Sequence, residues 1–191
     1  MIKKIKKMLP IFIVVGIIYT LIKLNYLNQY SYSFLSNQDE YIYATDFEDG
    51  NISQFESRGG TTQLSISNKY SSSGNNSLLV SNRTQEWNGP QIKISDLGNA
   101  SVEYLISAKV MNLNSTNVSI YYKYKNSDGV VKYFNLGNYT GDGWQSITNL
   151  KFSFTSDMQD VYILFQGGTE DMYIDDFSIK IASIEQEIPS L

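Results

Sequence analysis

Along most of the chain, apolar and polar residues alternate in short runs, the pattern of strands that bury one face. Nine such runs lie between residues 63 and 181: Gln63–Ser67, Ser77–Val80, Gln91–Ile94, Tyr104–Val110, Val118–Tyr124, Val130–Leu136, Lys151–Phe154, Val161–Phe165 and Met172–Ile181. No stretch of this region keeps a helical period for three turns. We therefore predict an all-β body over residues 41–182 with nine or more strands.

Clusters of Gly, Asn, Asp and Ser separate the runs, as expected for turns. Asp128-Gly129 stands between two runs rich in tyrosine and is the best hairpin signal in the chain. Many short antiparallel strands in about 140 residues favour two packed sheets. The predicted fold class is a β-sandwich, of the jelly-roll type.

The N-terminus has a different pattern. Residues 1–7 hold four lysines, and the next fifteen residues, 8–22, carry no charge. A membrane-spanning helix takes about 20 residues. The Lys23 side chain can reach the membrane surface with its ammonium group, so the span can continue through residues 24–27. We predict a signal anchor over residues 8–27, with the lysines on the cytoplasmic side.

A cleaved signal peptide is the alternative, since such peptides have apolar regions of about 7 to 15 residues. The first alanine is Ala44, so no Ala-x-Ala cleavage pattern follows the run. Residues 28–40 are predicted to be a linker and residues 183–191 a C-terminal tail. The protein is thus expected at the cell membrane with its sandwich outside, or secreted if the segment is cleaved.

The amino-acid composition excludes several kinds of functional site. The chain has no histidine and no cysteine, which excludes disulfides, Cys or His metal sites and nucleophiles activated by histidine. From Glu40 onward ten basic and eighteen acidic residues leave a net charge of -8. An acidic body argues against a nucleic-acid partner, whose phosphates need a basic face.

One tryptophan stands in a setting typical of sugar recognition. A pyranose ring has apolar C–H faces and a rim of hydroxyls, so its sites combine an aromatic platform with directional hydrogen-bonding side chains. Trp87 follows Arg83 and precedes Asn88 and Gly89. The tryptophan can serve as the aromatic platform, and the arginine and asparagine can form the hydrogen bonds. From the residues alone, a core tryptophan remains the alternative.

The body resembles carbohydrate-binding modules of family 22, which occur beside xylanases and bind xylan. The resemblance runs from Asp46 to Ile179 and is most specific in the Asn-Arg-Thr-x-x-Trp-Asn-Gly stretch at residues 82–89. The other matching segments are Asp46–Gly50, Phe55–Gly60, Tyr70–Leu79, Gly143-Trp144 and Tyr173–Asp176. The opening and closing motifs among them are shared with sandwich modules more broadly.

The resemblance implies which residues bind sugar. The binding tryptophan of the family falls on Trp87, its binding arginine on Arg58, and the tyrosine after the hairpin on Tyr133. Asn88, next to the tryptophan, is predicted to be a further ligand residue.

Two positions depart from the family pattern. Leu164 and Gln166 stand where the xylan binders carry a tyrosine and a glutamate. Gln166 still donates and accepts hydrogen bonds, so it is kept among the predicted binding residues. Leu164 removes an aromatic surface, which leaves the preferred glycan open.

The resemblance also implies a structural calcium ion. Calcium takes hard oxygen ligands, including carboxylates and backbone carbonyls. The predicted ligands are Asp46, Glu48 and Asp175, with backbone near Ser73. A solvated acidic turn is the alternative.

We predict a protein that is not an enzyme. A glycosidase needs two facing carboxylates about 5 to 10 Å apart, one of them with a raised pKa. Nearly all acidic residues of this chain lie in turn-like or polar segments, and none stands out as a buried acid in an apolar run. The predicted function is binding of xylan or a related β-glycan by a membrane-tethered module. Such a module would keep the cell near the polymer or present the polymer to separately made glycoside hydrolases. The alternative is a surface or adhesion sandwich that has lost sugar binding.

Overall fold

The computed structural model describes residues 19–23, 40–114 and 117–182. Of the predicted anchor, residues 8–27, only the helical residues 19–23 are described, and of the linker only Glu40. The basic N-terminus and the tail at residues 183–191 lie outside the described residues. Among those that are described, no helix has both the length and the apolar character to cross a membrane.

The body is one compact unit, Glu40–Ala182. Within its described residues, 40–114 and 117–182, eleven strands form: β1 Tyr41–Thr45, β2 Phe55–Arg58, β3 Gln63–Ser67, β4 Ser77–Ser81, β5 Gly89–Lys93, β6 Glu103–Asn112, β7 Asn117–Lys125, β8 Val131–Thr140, β9 Gln145–Ser153, β10 Gln159–Gln166 and β11 Met172–Ile181.

The strands make two antiparallel sheets. One has six strands in the order β3-β4-β11-β6-β9, with β1 pairing to β11, and the other has five in the order β2-β5-β10-β7-β8. The predicted all-β sandwich is therefore confirmed, while its assignment to the jelly-roll type stays a prediction.

The alternation of side chains explains how the sheets pack. In β10, Val161, Ile163 and Phe165 are fully buried in the core between the sheets, and their neighbours face the other way because side chains alternate along a strand. Phe177 of β11 meets Phe165 with ring centroids 5.9 Å apart, and Phe55 of β2 at 5.3 Å. These edge-to-face contacts join the two sheets.

The hairpin prediction is confirmed. The chain turns between β7 and β8, where the Gly129 N–H donates to the Asn126 carbonyl at 2.9 Å and Gly129 has a φ of 76°. A residue with a side chain rarely adopts that φ.

The alternation missed β1 and β2 and placed the start of β9 too late. β9 begins at Gln145, ahead of the predicted Lys151, and among its residues only Ile147 and Phe152 are buried. It lies at the end of its sheet, so most of its side chains remain in water and the alternation is weak.

Candidate functional site

The outer face of the five-stranded sheet carries polar and aromatic side chains in register. Since alternate residues of each strand share a face, strand pairing places the following on this surface, which we call the candidate face: Glu56, Arg58, Gln91, Lys93, Ser119, Tyr121, Lys123, Tyr133, Asn135, Asn138, Tyr162, Leu164 and Gln166.

Two of the predicted binding residues meet directly on this face. Arg58 Nη2 of β2 donates a hydrogen bond to Gln166 Oε1 of β10 at 2.8 Å. Strand β5 lies between them, and its residue at this level is Gly89, paired with Arg58. A Cβ at position 89 would lie 2.0 Å from the Phe165 carbonyl oxygen, so glycine is required for the close approach of β5 and β10.

Trp87 lies at the edge of the candidate face, next to Arg58. Its side chain is 51% exposed, and the Arg58 guanidinium carbon lies 5.8 Å from the centre of its ring. A cation at this distance interacts favourably with the ring face. The structure therefore places Trp87 on the surface rather than in the core, beside two other predicted residues.

Tyr133 occupies the opposite side of the face. It lies on β8, paired with Lys123 of β7, and is 56% exposed. Four strand spacings separate β2 from β8, about 19 Å at the usual distance between strands. Burial lowers the pKa of Arg58 and the Tyr133 side chain opposes this shift, so Tyr133 extends over the face toward Arg58 and the two side chains border the same surface.

A polar network that the sequence did not indicate covers the middle of the face. Gln91 Nε2 donates to Glu56 Oε2 at 2.9 Å, and Gln91 Oε1 accepts from Lys123 Nζ at 2.7 Å. The same Lys123 ammonium lies 4.3 Å from the centre of the Tyr162 ring. The alternation in β7 was the available signal, because it assigns residues 119, 121 and 123 to one face.

A second group of amide and hydroxyl side chains follows near β8. Ser119 Oγ donates to Asn138 Oδ1 at 2.8 Å, and Asn135 Nδ2 donates to the same oxygen at 3.0 Å. These groups keep further donors and acceptors that can bond sugar hydroxyls.

Leu164 forms the floor of the candidate face. It alternates with the core residues Ile163 and Phe165, pairs with Gln91 and Tyr121, and has no exposed surface. A ligand on this face would meet the side chains above Leu164 rather than Leu164 itself.

Arg83 anchors the loop that presents Trp87. Its side chain is 6% exposed and donates to the Asn112 side-chain oxygen and to several backbone carbonyls; these belong to Asn88, Gly167, Gly168 and Glu170. Burial lowers the pKa of Arg83 to about 10, so the group is still charged at neutral pH. The sequence did not distinguish this structural arginine from a ligand-binding one.

Asn88, predicted to contact sugar, is 2% exposed. Its Oδ1 accepts from the backbone N–H groups of Thr84 at 3.0 Å and Gln85 at 2.9 Å. Gly59 packs against its amide so closely that a Cβ there would lie 2.1 Å from Nδ2. The side chain thus fixes the turn that ends in Trp87.

Two predicted metal ligands, Glu48 and Asp175, both hold the loop at residues 72–76. Glu48 Oε1 accepts from the backbone N–H groups of Asn75 and Asn76, at 2.8 and 2.6 Å. Asp175 Oδ2 accepts from those of Ser72 and Ser73, at 2.7 and 3.1 Å. Burial raises the pKa of Asp175, and these backbone hydrogen bonds work in the opposite direction.

The third predicted ligand, Asp46, is exposed, and its carboxylate accepts from the Glu48 backbone N–H at 3.2 Å. A shallow pocket of about 380 Å³ borders Asp46 and Asp176. Within residues 40–114 and 117–182, no three acidic side chains converge in an arrangement that could hold a metal ion.

A sandwich with an exposed tryptophan, an arginine and a row of hydrogen-bonding side chains on one sheet has the groups that a sugar-binding module needs. Residues 39–172 match the profile of a family described as carbohydrate binding domain. The chain belongs to that family.

Parts of two xylanases are similar in sequence to this chain. Endo-1,4-beta-xylanase A of Thermotoga neapolitana is 29% identical over 168 residues, covering 78% of this chain and 16% of the xylanase. Endo-1,4-beta-xylanase Y of Acetivibrio thermocellus is 27% identical over 158 residues, covering 78% of this chain and 14% of the xylanase. The chain thus matches only a small part of these enzymes.

A solved xylan-binding domain of family 22 superposes with a TM-score of 0.69 and 26% identity, covering 77% of this chain and 98% of that domain. The resemblance to family 22 that the sequence predicted is confirmed, and with it the membership of a non-catalytic class of domain.

Proposed function

We propose that this protein binds xylan or a closely related β-glycan on the candidate face. The observation that carries the proposal is the exposed Trp87 ring beside the Arg58–Gln166 pair. The likeness to a xylan-binding domain supports the choice of polymer.

Physically, the aromatic and polar groups have separate tasks. A sugar ring stacked on Trp87 removes apolar surface from water on both partners. The exposed Tyr133 ring offers a further apolar surface to the bound sugar. Between them, Arg58, Gln166 and the side chains around Gln91 offer donors and acceptors to the ring hydroxyls.

The test is calorimetric titration of the purified protein with xylan, mixed-linkage glucan, mannan and cellulose oligosaccharides. We expect binding of xylan or mixed-linkage glucan and no binding of mannan. A folded protein that binds none of the four would instead support the alternative, a surface or adhesion sandwich that has lost its sugar.

We also propose a structural calcium ion held by Glu48 and Asp175. Both carboxylates contact the loop at residues 72–76, so an ion shared between them would tie that loop to β11. Even without a metal ion, oxygens of both carboxylates accept hydrogen bonds from backbone N–H groups of the loop, and these bonds hold the loop in place.

Calcium is expected to raise the unfolding temperature by about 5 °C at saturating concentration, because a ligand that binds only the folded state stabilises it. The measurement compares melting in excess calcium and in excess chelator, for the protein and for Glu48→Gln. Identical melting in calcium and chelator would exclude the ion.

For residues 8–27 we propose an uncleaved membrane anchor, preceded by the basic residues 1–7, that keeps the sandwich outside the cell. There the sandwich holds polymer near the surface or presents it to separate hydrolases. The lysine cluster and the uncharged run support this proposal. Cells that lack the protein should retain less insoluble xylan after washing. Equal retention would contradict tethering, and recovery of the protein in the medium would favour cleavage.

A further inference from the structure

Two cationic side chains extend over the floor of the candidate face from opposite sides. Arg58 comes from β2 and reaches Gln166 on β10, and Lys123 comes from β7 and reaches Gln91 on β5. Arg58 therefore passes above Gly89, one row of the candidate face away from Leu164, and Lys123 passes over β10 beside Leu164, so the two cations flank the middle of the sheet.

In the part of the chain that the structure describes, neither cation forms an ion pair with a carboxylate, although Glu56 and Asp160 attract Lys123 at longer range. In residues 40–114 and 117–182, the ion pairs join Lys93 to Asp96 and Asp160, Lys125 to Asp160, and Lys151 to Glu103, and none includes Arg58 or Lys123.

Their immediate contacts are neutral. Arg58 donates to the side-chain amide oxygen of Gln166 and lies over Trp87, and its Nε is buried without a hydrogen-bond partner. Lys123 bonds the amide oxygen of Gln91 and lies over the Tyr162 ring. Glu56 reaches this network only through Gln91.

Both charges are also partly removed from water. Burial lowers the pKa of Arg58, with Tyr133 acting in the opposite direction. Burial also lowers the pKa of Lys123; repulsion from Arg58 adds to this effect, and attraction from Glu56 and Asp160 opposes it without reversing it. Two half-buried cations that repel each other, and of which neither forms an ion pair in the described residues, gain from a carboxylate placed between them.

We propose that the candidate face prefers a polysaccharide that carries uronic acid groups, with the sugar carboxylate bound between Arg58 and Lys123. This inference rests on the proposed function and specifies its ligand. The net charge of -8 from residue 40 onward acts against an acidic polymer at long range, but salt screens it beyond about 8 Å. The groups that touch the carboxylate therefore decide the preference.

The experiment compares glucuronoxylan with the same polymer after reduction of its carboxyl groups to alcohols. Both are titrated calorimetrically into the full chain, with mild detergent for its apolar segment. We expect the acidic polymer to bind about tenfold more tightly, the difference that one charge-assisted hydrogen bond supplies. Equal affinities would overturn the inference and leave the proposed function standing, whereas no binding of either polymer would overturn both.

Gln166→Glu tests the assignment to these residues. It places a carboxylate against Arg58 with little change in shape, so the ratio between the two polymers should fall to near one. Gln145→Glu, which adds the same charge on β9 of the other sheet, should keep the tenfold ratio. An unchanged ratio in a stably folded Gln166→Glu protein would overturn the placement of the carboxylate.

Discussion

Trp87→Ala should abolish measurable binding of xylan oligosaccharides while the protein stays folded. The ring is half exposed and adds little to the core, whereas it offers the largest apolar platform on the candidate face. An aromatic side chain that anchors a ligand typically contributes about 2 kcal/mol or more, which weakens binding at least about 30-fold when it is removed. Calorimetry on the variant and the parent protein measures the loss.

Tyr70→Ala is the matched control for this experiment. Tyr70 is also an exposed aromatic residue, 39% accessible, but it packs on Tyr173 of the six-stranded sheet. Its removal should leave binding as it is. If Trp87→Ala bound sugar as well as the parent, the candidate face would be wrongly placed.

Arg83→Met should cost about 3 to 5 kcal/mol of folding free energy, the usual loss when a buried hydrogen-bonded charge is removed. The substitution leaves the carbonyls of Asn88, Gly167 and Glu170 without their donor in a region that water does not reach. Urea unfolding measures the change as a lower midpoint at constant slope. Sugar binding should weaken as well, since the same loop positions Trp87.

Arg58→Met separates this structural role from a role in binding. Arg58 makes one side-chain hydrogen bond, on a half-buried surface, so its loss should change stability far less than the loss of Arg83.

Arg83→Lys should recover only part of the stability, because an ammonium group cannot reach all five acceptors of a planar guanidinium. A stable Arg83→Met protein would show that loop 83–88 does not depend on this residue.

Alternation along the chain was sufficient to predict the sandwich, because strands such as β10 bury every second residue in one core. It was insufficient where a strand lies at a sheet edge, as β9 does, or is as short as β2. In those places few side chains are buried, so the period of two leaves little trace in the sequence.

For the site, the sequence identified Trp87, Arg58 and Gln166 through a family resemblance, and the structure brings these three together. It did not reveal the contact between Lys123 and Gln91, which depends on pairing through β10 rather than on any local spacing. Nor did it separate Asn88, which faces the protein interior, from polar residues that face solvent, because residue type alone does not fix the direction of a side chain.

Nuclear magnetic resonance can map where sugar contacts the protein, by titrating xylohexaose into isotopically labelled protein. We expect the largest shifts on the Trp87 indole N–H, the Arg58 side chain and the backbone of β7, β8 and β10, while β3 and β4 remain unchanged. Shifts confined to the six-stranded sheet, or none at saturating sugar, would contradict binding on the candidate face.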